Sequence, residues 1–209
     1  MNQLDYDNWL NYHSYEYHES FSGHDHILKN EKYFIQKYAK SKVLDLGCGT
    51  GNRMGEYYYK NKIDWKGIDF CKHLIEASRY KENIQIADLS KEYFLSAEEK
   101  YNLSVCIGGV ICGLLCEKRR DAFWKNIAKM LEMNCEYFLF DTVYWTFGFC
   151  GCKKGVTRKL FPFLPPQYFP SELELQQIFD DNNLEIVEKK LEVFNGINRI
   201  HYLIKKKER

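Results

Sequence analysis

The sequence has little net charge, little proline and no long apolar run. Thirty Lys and Arg stand against 29 Asp and Glu, a net charge of +1. No overall charge therefore marks a nucleic-acid or membrane-surface binder. The longest apolar stretch, Leu103 to Cys116, contains glycine and is too short to span a bilayer. The start, Met1-Asn2-Gln3-Leu4-Asp5, is polar and lacks the apolar segment of a secretory signal. A cytoplasmic chain with no membrane partner is expected. The four prolines all fall between Pro162 and Pro170. No repeat, linker or low-complexity tract divides the 209 residues, so a single domain, 1–209, is expected.

Cysteine is plentiful, with eight, but its pattern excludes more than it offers. Without secretion the thiols should stay reduced. Cys112 and Cys116 lie in the apolar run, and Cys150-Gly151-Cys152 has no partner pair nearby, so no metal site is expected. Most cysteines read as small buried hydrophobes. Sixteen Tyr and fourteen Phe are many, and several lie where they could line a pocket.

The chain is organised around Val43-Leu44-Asp45-Leu46-Gly47-Cys48-Gly49-Thr50-Gly51. Val43 to Leu46 predict a buried strand, and three glycines at alternate positions predict a turn into a helix. Glycine tolerates φ > 0 and lets a ligand lie against the backbone. The helix that follows offers unpaired N–H groups. Asp45 sits just before the turn, where a carboxylate suits a cation and repels a pyrophosphate. A dinucleotide-binding turn wants G-x-G-x-x-G, and Asn52 stands at its third glycine.

This stretch resembles motif I of the class I S-adenosylmethionine-dependent methyltransferases, an acid followed by a glycine-rich loop. The resemblance extends along most of the chain. Trp65 to Phe70 predict a second strand ending in Asp69, and Gly67-Ile68-Asp69-Phe70-Cys71 resembles the family's next motif. There the acid accepts from both ribose hydroxyls and the following residue, here Phe70, packs on the adenine. As an alternative, Asp69 caps a helix over Lys72–Tyr80. Asn83 to Leu89 predict a third strand ending in Asp88. The resemblance gives that acid the adenine amino group, and gives the Leu89 N–H a ring nitrogen. Asn102 to Ile107 predict the fourth strand, whose exit Gly108-Gly109-Val110 would lie beside the transferring methyl.

The resemblance thus implies an α/β fold, a Rossmann-like class I methyltransferase sandwich. It has a mostly parallel seven-stranded sheet, an antiparallel C-terminal hairpin, and helices on both faces. It implies S-adenosyl-L-methionine as cofactor, held by Asp45, Gly47, Cys48, Gly49, Gly51, Asp69, Phe70, Asp88, Leu89, Ile107 and Tyr17. The Asp/Asn/Ser-Pro-Pro-aromatic motif of nucleobase N-methyltransferases is absent after the fourth strand.

The other elements follow from periodicity. Ile27–Ala39, Asn52–Lys60, Glu117–Met133 and a segment beginning at Ser171 predict helices. Glu136–Asp141 predict the fifth strand, with Asp141 at its end. Leu184–Lys190 and Asn198–Lys205 predict a final hairpin around Asn195-Gly196. A helix over roughly 5–18 is expected in the aromatic, histidine-rich segment 1–30, which the resemblance casts as a lid. Residues 143–170, dense in aromatics with a basic cluster at Lys153, Lys154, Arg158 and Lys159, are cast as an acceptor-binding insertion. The candidate bases are His13, His18 and Asp141. Tyr6, Tyr144 and Arg158 are candidate acceptor contacts, with Arg158 suited to an anionic group. The implied acceptor is a small molecule methylated at oxygen. The alternatives are an amine or RNA base methylated at nitrogen, and an inactive cofactor-binding subunit. No nucleic-acid partner is expected, and the oligomeric state is open.

Overall fold

The computed structural model describes residues 27–91, 93–143, 155–158, 166–194 and 196–208; at Val156 and Arg158 only the backbone is described. A seven-stranded sheet has the order β3-β2-β1-β4-β5-β9-β8. Its members are β1 (Lys42–Leu46), β2 (Asp64–Asp69), β3 (Ile84–Ile86), β4 (Tyr101–Cys106), β5 (Cys135–Val143), β8 (Leu184–Phe194) and β9 (Ile197–Lys206). Strands β1 to β5 pair in parallel, β9 runs antiparallel to β5, and β8 closes the edge as a hairpin with β9. Two short strands, β6 (Val156–Arg158) and β7 (Gln167–Phe169), form a separate antiparallel pair.

Helices cover both faces because alternate residues of each strand point opposite ways. Leu44, Leu46, Phe138, Phe140 and Tyr202 join one core cluster with Phe123, Trp124 and Ile127 of α4 (Glu117–Met133) and Phe179 of α5 (Glu172–Asp181). Val43, Leu103, Val105, Leu139 and Leu203 join the other, with Phe34 and Ile35 of α1 (Lys29–Tyr38) and Met54, Tyr57 and Tyr58 of α2 (Asn52–Lys60). Helix α3 (Lys72–Ala77) sends Ile75 into that second cluster. None of the described helices is long and apolar enough to cross a membrane.

Several expected boundaries move, four of them for a local reason. Helix α3 ends at Ala77 rather than Tyr80, because Ser78 takes an extended backbone and turns its hydroxyl to the Thr50 carbonyl. Strand β3 ends at Ile86, where its partner β2 leaves the sheet at Asp69, so Asp88 lies beyond the strand. Strand β5 runs on to Val143 because β9 pairs with it that far, so Asp141 lies inside the strand. Strand β8 runs to Phe194, paired with β9 up to the turn at Gly196, whose φ is +75°. The Ser171 cap is as expected, its hydroxyl accepting from Glu174 N at 3.0 Å.

Of the segment cast as an insertion, the two described aromatics, Tyr168 and Phe169, are buried. Phe169 is fully buried against Cys112 and Val143. The Tyr168 ring lies 3.6 Å beneath the Arg120 guanidinium, and its hydroxyl meets Glu174. These two aromatics hold β7 against the body.

Candidate functional site

The glycine turn is where the backbone departs from what other residues tolerate. Gly47, Gly49 and Gly51 have φ of +72°, +58° and +68°. A Cβ on Gly47 would meet Val110 Cγ1 at 2.6 Å. The turn is tied to the next strand, with Gly47 N donating to the Ile68 carbonyl at 2.7 Å. Asp69 completes the tie. Its Oδ2 accepts from Gly49 N and its Oδ1 from Cys71 N, each at 2.8 Å. Burial raises the Asp69 carboxyl above its usual range, against the pull of these N–H groups. Asp69 therefore organises two loops, with the Phe70 N–H also turned toward its carboxylate.

Asp45 is buried at 3% exposure, and its Oδ2 has no hydrogen-bond partner. Burial pushes this carboxyl up to about 7, with Arg53 pulling down and Asp69 and Glu31 pushing up. A buried acceptor left unmet costs roughly 1–3 kcal/mol, so the atom marks a place for a donor or a cation. Cys48, half-buried in the turn, has its thiol pushed well up by burial. Phe70 is half-buried at the exit of β2. Leu89 and Ile107 turn buried side chains into the two core clusters, so only their backbones remain for a ligand.

Beyond β3, Asp88 Oδ2 pairs with Arg119 Nη2 at 2.7 Å and its Oδ1 accepts from Ser90 N and Oγ. Burial opposes ionisation here, but Ser90 and Arg119 outweigh it and lower the Asp88 carboxyl. At the exit of β4, Gly108 and Gly109 have φ of +84° and +82°. Gly109 N donates to Asp141 Oδ1 at 3.2 Å, and Arg199 takes the other oxygen at 2.5 Å. Asp141 is fully buried with both oxygens engaged.

Two residues that the sequence left unmarked complete the face. Glu31 of α1 is fully buried and bonded to Arg53 of α2 and to Leu28 N. His201 of β9, opposite Asp141 in register, is buried with neither ring nitrogen bonded, 3.9 Å from Glu31. A charged residue within an amphipathic helix carries no signal of such pairing. Of the other expected site residues, Tyr6, His13, Tyr17, His18 and Tyr144 lie outside the described residues, and the Arg158 side chain is not described.

No protein-family description and no curated protein matches the sequence. Solved structures do. A methyltransferase from Methanosarcina mazei superposes with a TM-score of 0.65 at 15% identity, over 83% of this chain and 96% of its own. One from Clostridium acetobutylicum gives 0.60 at 15%, over 85% and 88%. This chain has the S-adenosylmethionine-dependent methyltransferase fold. The glycopeptide N-methyltransferase MtfA, solved with S-adenosylmethionine, shares that fold at 0.62 and 10% identity, over 85% and 86%. At such identities the likeness is one of architecture. In this chain's own sheet the glycine turn, Asp69 at the end of β2 and Asp88 beyond β3 lie at the carboxyl ends of parallel strands, where open α/β sheets bind ligands.

Proposed function

We propose that this protein is an S-adenosylmethionine-dependent methyltransferase acting on a small-molecule acceptor at oxygen. The observation that carries the reading is the buried, unpartnered Oδ2 of Asp45 beside a turn of three left-handed glycines. A cradle without side chains suits close approach of a ligand, and an unmet carboxylate suits a cationic one. When bound, the cofactor supplies an electrophilic methyl on a sulfonium. Gly47 to Gly51 seat it, Asp45 faces its positive end, Asp69 accepts from its ribose, and Asp88 and the Leu89 backbone meet its base. Cys48, Phe70 and the Ile107 backbone close the walls, with Tyr17 assigned from the N-terminal segment. The chain's own task is to hold the acceptor in line with the reacting carbon. Tyr6, Tyr144 and Arg158 are assigned to the acceptor. Asp141 anchors the exit of β4 through Gly109 N, and its engaged oxygens favour that role over proton removal. His13 and His18 are the remaining candidates for a base.

The net charge of +1 and the absence of a nucleobase motif after β4 support a small acceptor. An acceptor nitrogen is the second reading, favoured by the shared fold of an N-methyltransferase. Titration calorimetry tests the site: S-adenosylmethionine should bind the wild type and bind Asp69→Ala far more weakly. No binding to either protein would refute the assignment. Incubation with labelled methyl donor and a metabolite extract should then give a product one methyl heavier, which identifies the methylated atom.

A further inference from the structure

The loop after β3 has little of its own to hold it. Strand β3 is three residues long and lies at the sheet's outer edge, paired only with β2. Asp88 and Leu89 are gripped instead from across the site, by α4. Arg119 Nη2 donates to Asp88 Oδ2 and Arg119 Nε to Ser90 Oγ, each at 2.7 Å. Two turns further along the same helix face, Asn126 Nδ2 donates to the Leu89 and Lys91 carbonyls at 3.0 and 3.2 Å. Asn126 anchors the backbone, whereas Arg119 holds the Oδ2 side of the carboxylate and, through Ser90 Oγ, braces the residue that holds Oδ1.

Arg119, spanning Asp88 Oδ2 and Ser90 Oγ, sets the direction of that carboxylate, and Ser90 and Arg119 together keep it ionised against its burial. Oδ1 carries two donors from Ser90, whereas Oδ2 carries Arg119, with Lys91 only at 3.8 Å. One lone pair on Oδ2 is left to accept from a ligand. The guanidinium, a quarter exposed beside a carboxylate at 12%, keeps the pair partly desolvated, where geometry counts for more than in open water. An ionised acid held in this way offers acceptors only.

We infer that Arg119 is a positioning residue for base recognition: by fixing the Asp88 carboxylate it makes the site take a 6-aminopurine and refuse a 6-oxopurine. The inference rests on the cofactor reading above. An exocyclic amine donates to Asp88, whereas a carbonyl oxygen would set acceptor against acceptor and leave both unmet.

The test is calorimetry on the full chain with S-adenosylhomocysteine and S-inosylhomocysteine. The wild type should prefer the adenosyl ligand by about 30-fold, the size of one hydrogen bond to a charged group. Arg119→Met should bring that ratio below about 5-fold, and Arg119→Lys, which keeps the charge but loses the fork, should fall between. Asn126→Ala should weaken both ligands alike and keep the ratio. A thermal melt checks each variant, and Arg119→Lys decides the matter if Arg119→Met does not fold. An undiminished ratio in the Arg119 variants, or a ratio that collapses equally in Asn126→Ala, overturns the inference while leaving the cofactor reading intact. A wild-type ratio near one overturns it as well. If the wild type binds neither ligand, the cofactor reading falls and this inference with it.

Discussion

Glu31 and Arg53, on the two helices that flank β1, form an ion pair in which the carboxylate is wholly buried, Nη2 lying 2.7 Å from Oε1. Burial opposes ionisation of Glu31, but the adjacent guanidinium and the Leu28 N–H hold its carboxyl at about 2, below the usual 4.5. A depressed carboxyl contributes stability that is present above about 4.5 and lost as pH falls toward 2. Glu31→Gln removes the buried charge that faces the Arg53 guanidinium, and should cost about 3 kcal/mol at pH 7. Urea unfolding should show that gap at pH 7 and a smaller one at pH 3.

Asp45 behaves in the opposite sense. Burial raises its carboxyl from 3.8 to about 7. The folded chain therefore holds a proton that the unfolded chain releases. The resulting stability is complete below about 3.8 and is lost as pH rises through about 7. Asp45→Asn should melt higher than the wild type at pH 8 and lose cofactor binding. In the wild type, affinity for S-adenosylmethionine should rise with pH through about 7, because a cationic ligand favours the ionised acid. Calorimetry in buffers of different ionisation enthalpy should register proton release at pH 6 and little at pH 8.

Asp69 accepts from the backbone of both loops, at Gly49 N and Cys71 N among others. Asp69→Ala leaves both unmet and should cost about 2 kcal/mol. Hydrogen exchange at Gly49 and Cys71 should accelerate more than exchange at Phe138, deep in β5. Asp69→Asn keeps one carbonyl acceptor and should fall between the two in stability.

Gly47 allows no side chain. At φ of +72°, with Val110 Cγ1 2.6 Å from the place of a Cβ, alanine meets both backbone strain and a clash. Gly47→Ala should destabilise the fold by about 2 kcal/mol. Adding Val110→Ala should recover part of that loss, since it removes the clash and leaves the strain. Denaturant midpoints of the single and double variants measure the difference.

Much of the sheet was legible because its signals are local. Helices Asn52–Lys60 and Glu117–Met133 have the bounds that their periodicity predicts. The terminal hairpin follows from Asn195-Gly196, and the turn from three alternating glycines. Strand ends were less legible, because a partner strand decides them. Asp141 reads as a strand-end acid, yet β9 pairs on to Val143 and encloses it. Asp88 reads the same way, yet β3 stops two residues short when β2 departs.

By itself the sequence determined the order of elements, the glycine turn and the acids beside it, because backbone freedom and alternating hydrophobicity act over a few neighbouring residues. Only the tertiary structure decided which charges meet. Glu31, Arg53, Asp141, Arg199 and His201 come from two helices and two strands, and converge on one face of the sheet. The physical reason is that a buried charge needs a partner in space, and chain separation carries no record of which helix will lie over which strand.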